Sequence, residues 1–197
     1  MNSIPTPTNR TARTKAIQLA RQVLAQKPVY LDTETTGLDR SAEIIEISIV
    51  DDDDHVLLES MVRPNRPISS GAQMVHHITS ESLQGALTWP ALWPTVRSFL
   101  VGRLIVIYNA DFDLRLMQQS HASYRLPWKD SFKSMCLMKL YAEFRGEWDP
   151  RRMGYRYHSL DTARKHCNLT GFNSHRATDD TRLTRELLHY IANQADA

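Results

Sequence analysis

The 197-residue chain has no apolar run long enough to cross a bilayer, and its first residues lack the apolar stretch of a secretory signal. Both absences point to a cytoplasmic protein. Cysteine is scarce: Cys136 and Cys167 stand alone, at a spacing that matches no metal-ligand pattern. That excludes a disulfide framework and a cysteine-held zinc, leaving two reduced, semi-buried thiols. No glycine-rich phosphate loop of the P-loop type is present, which argues against a phosphotransferase. Net charge is small as well, with 24 basic residues against 22 acidic ones. The first 31 residues hold Arg10, Arg13, Lys15, Arg21 and Lys27 and no acid, so the rest carries a net charge of −3. A slightly acidic body excludes polyanion binding by charge neutralisation alone. It is compatible with acids gathered around metal ions that supply the missing positive charge.

What is present is ordinary globular composition, 42% hydrophobic and 23% charged, in a length that suits one domain with a short appendage. Residues 1–12, rich in Ser, Thr, Pro and Asn, read as a disordered lead-in. From Thr14 to Gln26 the residues Ile17, Ala20, Val23 and Leu24 recur at helical spacing, with Ala16 and Leu19 widening the stripe. This predicts an amphipathic helix with its basic residues in solvent, so that residues 1–27 form the appendage and 28–195 the domain.

The chemistry centres on Val29 to Leu38, V-Y-L-D-T-E-T-T-G-L. Val29, Tyr30 and Leu31 are β-prone. Asp32 and Glu34 follow two residues apart, on one face of an extended chain. Thr35, Thr36 and Gly37 supply turn chemistry, and Gly37 permits close approach of a ligand to backbone. Two acids side by side at the end of a buried strand raise each other's pKa unless a cation lies between them. Oxygen ligands of this kind suit Mg²⁺ or Mn²⁺.

Downstream, E-I-I-E-I-S-I-V (43–50) predicts a strand with Ile45, Ile47 and Ile49 inward. The four aspartates 51–54 read as a solvated hairpin tip before a second strand at 55–62. A Pro- and Ser-rich loop leads to V-H-H-I-T (75–79), after which Ser80 caps a short helix. A helix over 89–100 precedes L-I-V-I-Y (104–108), a strand covered on both faces. Then N-A-D-F-D (109–113) opens a helix on which Asp111 and Asp113 lie about 200° apart, so only one can face the first motif. Residues 134–144 and 159–168 predict further helices. Between them, 145–157 mixes four arginines with Trp148, Tyr155 and Tyr157, the combination that stacks on bases and contacts phosphates. H-R-A-T-D-D (175–180) precedes a last helix through Tyr190.

D-T-E-T-T-G-L, N-A-D-F-D and H-R-A-T-D-D, in that order, resemble the three motifs of the DEDDh 3′→5′ exonucleases, relatives of the proofreading subunit of bacterial replicative polymerases. The resemblance runs from Pro28 nearly to the end. It implies an α/β, ribonuclease H-like fold: a mixed sheet with its antiparallel hairpin at one edge and helices on both faces. It selects Asp113 over Asp111 and Asp180 over Asp179. By resemblance Asp32, Glu34, Asp113 and Asp180 hold two Mg²⁺ (or Mn²⁺), and His175 is the general base. Thr35, Thr36, Gly37 and Leu38 would seat the terminal nucleotide, Leu38 against its base, with His76, Asn109 and Phe112 as further substrate contacts. Two departures stand out: His77 replaces a glycine of the family's V-H-G-I-T, and Tyr108 stands where many relatives have histidine. The implied activity is removal of nucleoside monophosphates from DNA 3′ ends, single strands preferred, with a DNA polymerase or repair complex as a conceivable partner and no membrane. An exoribonuclease of the same family and a replication-associated binding module with little activity stay open as alternatives.

Overall fold

The computed structural model describes residues 9–171 and 174–196. Its centre is a six-stranded sheet built from β1 (Val29–Thr35), β2 (Ile44–Asp51), β3 (Val56–Arg63), β4 (Leu87–Thr88), β5 (Leu104–Ile107) and β6 (Lys133–Cys136), in the order β4-β3-β2-β1-β5-β6. β1, β2 and β3 form an antiparallel meander, while β5 joins β1, and β6 joins β5, in parallel. The two-residue β4 lies outside the hairpin, parallel to β3. Among the described residues seven α-helices accompany the sheet: α1 (Asn9–Leu24), α2 (Ser70–His76), α3 (Trp89–Leu100), α4 (Ala110–Ser123), α5 (Leu137–Arg145), α6 (Leu160–Cys167) and α7 (Ala177–Ala192).

Alternation along β1 sorts the layers. Tyr30 joins Val106 in a core shared with α1, α5, α6 and α7. Val29 and Leu31 point the other way, to a core shared with α3 and α4. By the same alternation Asp32 and Glu34 face the α7 side and Thr33 the α4 side.

Several expectations need correction. α1 starts at Asn9, inside the expected lead-in, and residues 1–8 lie outside the described residues. Its basic residues do not all point to water. Arg13 donates to Phe144 O at 3.0 Å with its guanidinium over the Phe144 ring, and Arg21 donates to Ala192 O at 2.9 Å and Gln194 O at 2.6 Å. Leu19 is 43% exposed and outside the buried stripe. Ile45 does not share a core with Ile47 and Ile49. The register passes from Glu34↔Glu46 to Thr35↔Ile44, so Ile45 is the extra residue of a bulge and packs with Ile78 and Leu83. Residues 134–136 are strand, because β5 would otherwise present an open edge. The Pro- and Ser-rich loop contains a helix, α2, capped by Ser69, whereas the segment after Ser80 is only a 3₁₀ turn at Glu81–Leu83. The 145–157 segment forms a small hairpin of β7 (Trp148–Asp149) and β8 (Gly154–Tyr155). No described helix is long and apolar enough to cross a membrane.

Candidate active site

β1 outruns its parallel neighbour: pairing with β5 covers only Val29 to Leu31. Beyond that point the strand is paired on one side, with β2, and the other side opens into a cleft. Asp32 and Glu34 face α7, whose first turn brings in Asp180. Carboxylate oxygens of these three residues lie within 4.8 Å of one another. Asp113 arrives from the opposite layer, in the first turn of α4, where Thr33 donates a 2.7 Å hydrogen bond to its Oδ1. The four acids, with Asn109, Phe112 and His175, line a cleft of about 430 Å³. His175 sits at its exposed edge, in the left-handed backbone region with φ 54°.

Burial raises all four acids, and neighbouring carboxylates add to it at Asp32, Glu34 and Asp180. Asp32 is held well above the usual carboxylate range by burial, then by the charges of Asp113, Asp180 and Glu34. Burial, with Asp180 and Glu46 nearby, pushes Glu34 up to about 8. Asp113 rises to about 7 through burial, against the opposing Thr33 bond, and Asp180 to about 7 through burial and Asp179. Arg176 opposes the shift at Glu34, but its guanidinium is bound to Glu46. A buried set of hard oxygen donors in this condition fits a divalent cation of the Mg²⁺ or Mn²⁺ type.

Glu46 and Arg176 are site residues that motif reasoning passes over. The Arg176 Nε lies 3.1 and 3.2 Å from the two Glu46 carboxylate oxygens, and its Nη2 2.6 Å from Oε1. The Ala177 N–H donates to Glu46 Oε2 at 3.0 Å. Arg176, at the N-cap of α7, makes no side-chain cap of its own, so a strand residue 131 positions earlier satisfies an orphan N–H of the helix. Two positions on, the Thr178 hydroxyl donates to Ser48 Oγ at 3.1 Å. A signal for this existed. Glu46 and Ser48 interrupt an isoleucine run at strand spacing and pair in register with Glu34 and Asp32.

The other candidate residues divide between cleft and support. The Thr35 hydroxyl donates to Gly37 O, and Thr36 Oγ1 accepts from Glu43 N, so both hydroxyls shape the turn itself. Gly37 is buried, and a Cβ there would meet Ser69 Oγ at an ordinary 3.4 Å. Leu38 is 79% exposed. His76 is buried under this turn: its Nδ1 accepts from Ile78 N, and its Nε2 faces Thr35 O at 3.2 Å. Burial lowers its pKa, and a neutral ring donating through Nε2 suits both contacts. His76 therefore braces the turn from below and does not line the cleft. His77 ends α2 with φ 58°, the left-handed conformation that a glycine adopts without strain. The Tyr108 hydroxyl ties the end of β5 to His158 O at 2.8 Å. Asp111 points away from the acids and pairs with Lys139 at 2.7 Å.

A second acidic group, Asp51, Asp53 and His55, sits at the β2–β3 tip. This tip is not simply solvated. Asp52 accepts from the Tyr30 hydroxyl at 2.7 Å and contacts His189 Nε2 at 2.9 Å, and its carbonyl accepts from Arg185.

Comparison with known proteins bears on this geometry directly. The exonuclease family model RNase_T matches residues 29–188. The uncharacterized exonuclease CP81 of Escherichia phage 186 is 38% identical over 183 residues, covering 89% of this chain and 93% of its own. Exodeoxyribonuclease 10 of Escherichia coli is 32% identical over 168 residues, covering 83% and 67% respectively. Among solved structures, exonuclease X in complex with 5′-overhanging duplex DNA superposes with a TM-score of 0.60 at 29% identity, over 84% of this chain and 90% of that one. The sheet order, the helical layers and the family match across residues 29–188 lead to one placement: this chain belongs to the RNase_T exonuclease family, on a ribonuclease H-like fold.

Proposed function

We propose that the chain hydrolyses DNA from the 3′ end, prefers single strands and releases nucleoside monophosphates. The observation that carries this is the meeting of Asp32, Glu34, Asp113 and Asp180 with His175 in one cleft at the end of β1. Asp32, Glu34 and Asp180 would hold one divalent cation, Mg²⁺ or Mn²⁺, and Asp32 with Asp113 a second. Such a pair, when bound, stabilises the charge that develops on the attacking and departing oxygens. His175, at the solvent edge, takes the proton of the attacking water. Asn109 and Phe112, inside the cleft, and exposed Leu38, at its turn, hold the terminal nucleotide. The name of the E. coli relative and the DNA in the exonuclease X complex favour DNA over RNA.

The test is digestion of 3′- and 5′-labelled single-stranded DNA, duplex DNA and RNA with Mg²⁺ or Mn²⁺. Mononucleotides should appear from the 3′ end of linear DNA, fastest from single strands. Circular single-stranded DNA should survive; cutting of circles at rates comparable to linear strands would defeat the proposal.

A further inference from the structure

One hollow on the protein lies away from the carboxylates. A depression of about 500 Å³ lies between α5 and the β7–β8 hairpin, lined by Lys139, Glu143, Trp148, Arg152, Tyr155 and Tyr157 among others. Nothing in the catalytic set uses it. Three features say what it would take. Trp148 is 38% exposed and meets Tyr155 edge-on, with ring centroids 5.6 Å apart at 88°, which leaves aromatic surface free. The other three tryptophans belong to a separate cluster, in which Trp93 lies 5.3 Å from Trp89 and 5.2 Å from Trp128. Arg152 lies over the Tyr157 ring at 4.5 Å, and the hydroxyl of Tyr155 is buried without a hydrogen-bond partner among the described residues. Arg151, Arg152 and Arg156 are all exposed, and none forms an ion pair with the described residues.

The hollow also adjoins a second depression that approaches the start of α4. This depression, about 350 Å³, shares Lys139 and Glu143 with it and reaches Ala110 and Asp111. Those two residues lie in sequence between Asn109 and Phe112 of the catalytic cleft. The two depressions together extend from the hairpin along α5 to the start of α4, next in sequence to the cleft-lining Asn109 and Phe112.

We propose that the β7–β8 hairpin is a second binding station for the substrate strand, holding a base on Trp148 and phosphates on the surrounding arginines, away from the 3′ terminus. Exposed aromatic faces with unpaired guanidinium groups match single-stranded nucleic acid, whose bases stack and whose backbone is anionic. This rests on the exonuclease assignment of the cleft and adds to it the way a longer strand is retained. The station takes no part in bond cleavage, so its signature is dependence of KM on strand length.

The experiment compares a dinucleotide with a long oligothymidylate. Trp148→Ala should raise KM for the long strand by roughly 5- to 150-fold, the span of one lost base stack, with kcat unchanged and the dinucleotide unaffected. Arg152→Glu, at an exposed position whose guanidinium lies over Tyr157, should act in the same direction and reduce the salt dependence of KM. A turnover-independent readout is quenching of tryptophan emission by the long oligothymidylate in chelator, which should disappear in Trp148→Phe. An active enzyme whose KM is unchanged by both substitutions at both lengths overturns the station and leaves the exonuclease assignment intact. A protein that degrades neither substrate yet shows Trp148-dependent quenching overturns the activity and keeps the station.

Discussion

Removing metal should make this protein's stability fall as pH rises, the reverse of ordinary acid denaturation. In the folded chain Glu34 is pushed up to about 8, and Asp113 and Asp180 each to about 7. The unfolded chain releases those protons near the ordinary carboxylate range, about pH 4. Between the two values the folded state binds more protons than the unfolded one, so stability declines with pH across that window. The stabilisation is fully present below about pH 4 and is lost as pH rises through roughly 7 to 8. Glu34 alone, at ~1.4 kcal/mol per pKa unit, accounts for roughly 5 kcal/mol. The four acids repel one another, so their shifts are shared and the cluster's total is set on the order of 5 kcal/mol, not several times that. For a chain of this size that is a fall of roughly 10–20 °C in melting temperature between about pH 5 and pH 9. Thermal melts in chelator measure it directly. Adding Mg²⁺ or Mn²⁺ should raise the melting temperature far more at the alkaline end than at the acid end. Glu34→Gln should flatten the chelator curve and lift its alkaline end. A metal-free melting temperature that is level or rising across the window, or an equal metal-induced gain at both ends, would refute the electrostatic picture of the cleft.

Three further outcomes follow from the same geometry. His175→Ala should lower kcat by roughly 10²–10⁴-fold while keeping the metal-induced gain in melting temperature, and wild-type turnover or loss of that gain would show His175 to be structural. Asp32→Asn should abolish turnover and most of the metal-induced stabilisation together; retention of either separates Asp32 from the metal. Glu46→Ala strips the Ala177 N–H of its acceptor, at about 1–3 kcal/mol for an orphaned buried group, and should lower kcat more than it raises KM by loosening the helix that carries Asp180. Glu46→Gln, which retains an acceptor for that N–H, should recover most of the stability but not all of the rate.

Most of the frame is legible in the residues. The strand at Val29, the buried L-I-V-I run and the helices around Asp113 and Asp180 follow from period, turn chemistry and motif order, and the structure brings those acids together. What escapes is set by long-range partners. Residues 134–136 are strand because β5 needs a neighbour, a demand that local pattern does not express. Ile45 leaves its expected face because a bulge absorbs it, and one extra residue reverses every alternation argument. His76 sits in a family motif, yet its buried ring braces the turn, since both nitrogens are taken by backbone groups. The Glu46–Arg176 clamp joins positions 130 apart, and only the strand register reveals it.

α7 is fastened to the β2–β3 hairpin along its whole length. Arg176 and Ala177 meet Glu46, Thr178 meets Ser48, Arg182 reaches Asp54, and Arg185 and His189 reach Asp52. Asp180 rides on that helix, and β1, pinned between β2 and β5, carries Asp32 and Glu34. The spacing of the cutting groups is thus a property of one interlocked block that excludes the 145–157 segment. With the hairpin acting as the proposed binding station, its replacement would change which strands are captured and for how long, while Asp32, Glu34 and Asp180 stay in register. Such a separation makes the enzyme a practical chassis: a grafted hairpin from another nuclease should transfer length preference without retuning the chemistry.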